Sequence, residues 1–244
     1  MEKIHYDSRP EAWNFYRLIY PDMNSERIFQ FGEKSIPVNG DICFNFNDKK
    51  VKYLKEIVKY VDTVNEEVKK QINELINRCN SYQHTPVNIS VLPQTGGLNN
   101  TKQAIGNDRF DAFIWAMSMY FYGYKTLIKD NGSSPNMAYG NRAIMDYYLD
   151  SFSNGIQQFC KAIYQLYDTQ FVNVLIESGS KSVDSCKRVF EYIQLAIVFW
   201  EKRAIFFCNN KSIEANYKSM NGKTEEDIED YFKEKVEYIK QRLV

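Results

Sequence analysis

Apolar residues recur at steps of three and four from about Asp48 to Tyr82, at Leu54, Ile57, Val61, Val64, Val68, Ile72, Leu75 and Cys79, with lysines and acids between them. That period places one apolar stripe along a single long helix, with Asp48 as its N-cap and the charged positions on its wet face. A second helix is expected to start near Asn107 or Asp108 and to run through Tyr122. Phe110, Phe113, Ile114, Met117, Tyr120 and Phe121 give it a broad apolar face, as a central helix has. The helical period returns over Tyr139 to Phe152, Ile156 to Ser178, Ser182 to Phe207 and Glu225 to Leu243, with breaks at Ser153-Asn154-Gly155, Gly179 and Asn221-Gly222. Thr224 with Asp227 three residues on matches an acidic form of the capping box.

The first 47 residues follow a different rule. Pro10, Pro21, Pro37, Gly32 and Gly40 interrupt every longer period, and Arg27 to Phe31 and Asp41 to Phe46 read as short strands around an Asn39-Gly40 turn. Val87 to Leu92 reads as another strand, followed by a polar loop from Pro93 to Lys102. The expected fold is mainly α: one domain spanning 1–244, with a mixed strand and loop subregion over 1–47 and a helical body over 48–244. The small β element sits in the N-terminal third.

Composition narrows the function. Lys plus Arg and Asp plus Glu are both 31, so no net field gathers nucleic acid or an anionic membrane. Aromatic residues make up 15% of the chain, with 18 Tyr among them, a stock that serves both a core and a contact surface. The five cysteines, Cys43, Cys79, Cys160, Cys186 and Cys208, form neither a CxxC pair nor a Cys/His cluster, so no disulfide framework, zinc site or other metal site is expected. No apolar run is long enough for a signal peptide or membrane span, which points to the cytoplasm. Neither of the two histidines, His5 and His84, has a known metal or triad spacing, and there is no GxSxG, so nucleophilic catalysis finds little support.

Three stretches carry candidate chemistry. Gly96, Gly97, Asn99, Asn100 and Lys102 combine a permissive backbone with a cation, as a phosphate or carboxylate cradle requires, although neither GxxxxGK[ST] nor GxGxxG is present. A plain glycine turn explains the same residues. Asp108 and Asp111, three apart with Arg109 between them, could share a proton, hold a divalent metal or bind a substrate cation, or simply complement a helix dipole. Trp200 and Arg203 have the spacing for joint contact with a planar ligand, or for a buried Trp beside solvated charges. Arg142 with Asp146 and Arg188 with Glu191 have helical ion-pair spacing, and Arg142 is also a candidate to line one ligand pocket with Lys102, Arg109, Asp111 and Arg203.

Taken in order, Ile36-Pro37-Val38-Asn39-Gly40, Thr95-Gly96-Gly97-Leu98-Asn99-Asn100, Asn107-Asp108-Arg109-Phe110-Asp111 with Tyr120-Phe121-Tyr122, and Trp200-Glu201-Lys202-Arg203 resemble a family of uncharacterised bacterial proteins. The resemblance spans about residues 7 to 207. It implies a shared fold and a bacterial or phage origin, and no reaction. The sequence is therefore read as a non-enzymatic binding protein for a protein partner or small anionic ligand, without cofactor, in a setting of bacteria–phage conflict. The alternative is an enzyme acting on a nucleotide or other phosphorylated substrate, and self-association through aromatic helices is a third class.

Overall fold

The computed structural model describes residues 10–20, 23, 28–31, 33–46, 63–93, 109–124, 142–183, 185–214 and 225–243. The chain is predominantly helical, with a small three-stranded antiparallel sheet whose strands lie side by side in chain order. Its elements gather into two compact units. One comprises residues 1–43 and 89–180, the other 44–88 and 181–244.

In the first unit, helix α1 (Pro10–Ile19) precedes strands β1 (Ile28–Phe31) and β2 (Lys34–Ile42). The hairpin closes between Phe31 and Lys34, not at Asn39-Gly40, which lies within β2 opposite Leu92 and Val91 of strand β3 (Ile89–Pro93). The first half of β2 pairs with β1 and the second with β3, and the change of partner falls at Pro37–Val38. A proline suits that position, because it has no N–H for a ladder.

Helix α3 (Phe110–Phe121) is the core of this unit: Phe110, Phe113, Ile114, Ala116 and Met117 are wholly buried, as its apolar breadth predicts. It packs against α5 (Gly155–Tyr164) and α6 (Thr169–Gly179), while α4 (Arg142–Asp150) contributes buried Tyr148 and Leu149. The single helix expected over Ile156 to Ser178 is two. Gln165 turns the chain left-handed at φ 55°, and its amide donates to the carbonyls of Ala162 and Ile163. The Asp168 side chain then caps α6 by accepting from the Gln170 and Phe171 amides. An αL residue and a fresh N-cap three residues apart leave no room for a continuous helix.

Helices α3 and α6 meet at Gly179. A methyl group there would lie 2.1 Å from the Asp111 carbonyl oxygen and 2.8 Å from Trp115 Cβ, so backbone must move to admit it. Gly179→Ala is expected to destabilise at the upper end of the roughly 1–3 kcal/mol cost of overpacking. Urea unfolding reads this out, and an unchanged midpoint would show that the two helices separate freely.

In the second unit, α2 (Glu66–Tyr82) starts later than the stripe predicts: residues 63–65 are not helical, and Asn65 caps the helix by accepting from the Glu67 and Val68 amides. Asp48, Leu54, Ile57 and Val61 lie outside the described residues, as does the Thr224 cap. Val68, Ile72, Leu75 and Cys79 nonetheless form the buried stripe that their spacing predicts. Helix α7 (Cys186–Asn209) is capped by Ser185, and α8 (Glu225–Leu243) packs on both α7 and α2. The Arg188–Glu191 pair forms as its spacing predicts.

Candidate functional site

Arg109, itself extended, immediately precedes α3, and Asp111 sits in the first turn, so the side chains turn toward each other across the helix start. Arg109 Nε donates to Asp111 Oδ1 at 3.0 Å and its Nη2 to Oδ2 at 2.6 Å, a bidentate pair. Asp111 also accepts from the Ala112 amide at 2.9 Å and from Ser178 Oγ at 2.7 Å, while Arg109 Nη2 reaches the Ser178 carbonyl at 3.3 Å. Asp111 is fully buried and Arg109 is 8% exposed. Both oxygens of the carboxylate are engaged from within the protein. The cluster ties the start of α3 to the end of α6, beside the close approach at Gly179. Its chemistry is that of a buried clamp, not an open acid/base or metal site.

Trp200 and Arg203 lie in the second unit and are likewise fully buried. The Trp200 ring packs on Tyr82 and Phe46, with centroids 5.6 and 5.9 Å away. Its Nε1 donates to Asn88 Oδ1 at 2.9 Å. Asn88 does more: the same Oδ1 accepts from the Phe44 amide at 2.9 Å, and Nδ2 donates to the Phe44 and Gln83 carbonyls at 2.7 and 3.0 Å. A side-chain amide thus pairs with Phe44 as a neighbouring strand would. Gln83 repeats the device by accepting from the Phe46 amide. Arg203 Nη1 donates to the Val87 carbonyl at 2.8 Å, and its guanidinium lies between the Phe199 and Phe207 rings at 5.4 and 5.2 Å. The described candidates thus belong to two separate internal clusters, Arg109 with Asp111 and Trp200 with Arg203. Gly96, Gly97, Asn99, Asn100, Lys102 and Asp108 lie outside the described residues, as does the side chain of Arg142.

Sequence reasoning missed Asn88 and Ser178, whose partners are 112 and 67 positions away. It also missed Tyr120, whose buried hydroxyl donates to Asp146 at 2.7 Å and lies 3.4 Å from Asp150. The spacing of Asp146 and Asp150 shows that they share a helix face, but says nothing of a tyrosine on another helix.

The same end of α3 carries two exposed tyrosines. Gly123 at φ 96° lets the chain double back, with the Gly123 amide donating to Tyr120 and the Tyr124 amide to Met119, a Schellman termination. This closure fixes the backbone of Tyr122 and Tyr124, which are 74% and 62% exposed. Exposed Tyr147 follows Asp146 on α4.

Four buried groups resist ionisation. Burial pushes the phenols of Tyr148 and Tyr164 and the thiols of Cys79 and Cys160 well above their ordinary values of 10.0 and 9.0. The unfolded chain releases these protons near the ordinary values while the folded chain holds them, so their contribution is intact at neutral pH and falls as pH climbs past 9 to 10. Each further step in pH then favours the unfolded chain more. Melting curves by circular dichroism should be flat from pH 6 to 8 and drop steeply above pH 10; a flat profile to pH 11 would mean that the hydroxyls and thiols are hydrated in the native state.

Cys79 and Cys160 are free thiols, and among the described residues no group of three or more His, Cys, Asp or Glu could hold a metal. No described helix is long and apolar enough to cross a membrane. Comparison with protein-family models, with curated proteins and with solved structures returns no match.

Proposed function

We propose that this chain is a non-enzymatic cytoplasmic binding protein that recognises a protein partner through the tyrosine-bearing end of its first unit. The setting implied by the resemblance is bacterial or phage. The observation that carries the reading is the exposure of Tyr122 and Tyr124 on a helix termination whose backbone is closed by hydrogen bonds. Tyrosines held this way offer apolar area and a hydrogen-bonding hydroxyl with little ordering left to lose on binding. The internal use of Arg109, Asp111, Trp200 and Arg203 supports the same reading, since those side chains are engaged in packing and hydrogen bonding within the protein.

The test uses the whole chain as immobilised bait in a bacterial lysate, beside the double variant Tyr122→Ser/Tyr124→Ser. Aromatic hot spots contribute about 2 kcal/mol or more each, or roughly 30-fold in affinity, so the variant should lose its specific prey while keeping its melting temperature. Equal recovery of the same prey by both proteins would overturn the proposal. A concentration-dependent mass in sedimentation that disappears in the variant would assign the surface to self-association instead.

A further inference from the structure

We draw no further inference here: the strongest candidate, the surface patch of exposed Tyr122 and Tyr124 at the C-terminal end of α3, belongs to the site already described, and nothing in the structure shows what covers it.

Discussion

Asp111→Ala will cost about 3–5 kcal/mol of stability, because it strands the buried Arg109 guanidinium without its counter-charge. Three donors lose their acceptor at once: Arg109, Ser178 Oγ and the Ala112 amide. For a chain of this length each kcal/mol moves the melting temperature by about 2–4 °C, so a fall on the order of 10 °C is expected. The double variant Arg109→Met/Asp111→Leu separates the worth of the pair from the penalty of breaking it. Removing both charges should restore much of the loss, since apolar replacements of buried ion pairs are often neutral or better. If Asp111→Ala unfolded within about 1 kcal/mol of the wild type, water would have to reach Arg109 and the clamp would not be a dry one.

Trp200→Ala should be at least as damaging, at about 3–5 kcal/mol for a fully buried Trp. The indole fills the space between Tyr82 and Phe46, elements far apart in sequence, so its removal leaves a cavity that no single segment can close by shifting. Trp200→Phe divides the effect. The phenyl ring keeps much of the contact but gives no donor to Asn88 Oδ1, which retains the Phe44 amide, so a smaller loss of roughly 1–2 kcal/mol is expected. Chemical denaturation of both variants gives the comparison. A Phe variant as unstable as the Ala variant would assign the main effect to the hydrogen bond, and a stable Ala variant would remove Trp200 from the core altogether.

Helix type was legible where a period ran long enough. The broad apolar face of Phe110–Phe121 announced a central helix, and Val68, Ile72, Leu75 and Cys79 are buried at the spacing that marks them. Boundaries were legible only where a cap could be weighed against the period. Asn65 and Asp168 are ordinary N-cap residues, yet each lies inside a run whose apolar rhythm continues past it, and the rhythm alone argues for an uninterrupted helix. The hairpin shows the same competition. Asn39-Gly40 is a turn signal, but pairing with Leu92 and Val91 holds it extended, and the reversal falls between Phe31 and Lys34. Neither compact unit is marked by a linker, because each is assembled from two separate stretches of chain.

By itself the sequence determined the mainly helical class, the small strand element and the absence of a charge excess, since these depend on local period, turn chemistry and composition. Only the tertiary structure decided what the charged and aromatic candidates do. Whether Arg109 faces a ligand or Asp111 and Ser178, and whether Trp200 stacks on a planar molecule or on Tyr82, depends on which distant segments arrive beside them. Burial and partner identity come from long-range packing, which no spacing within one helix encodes.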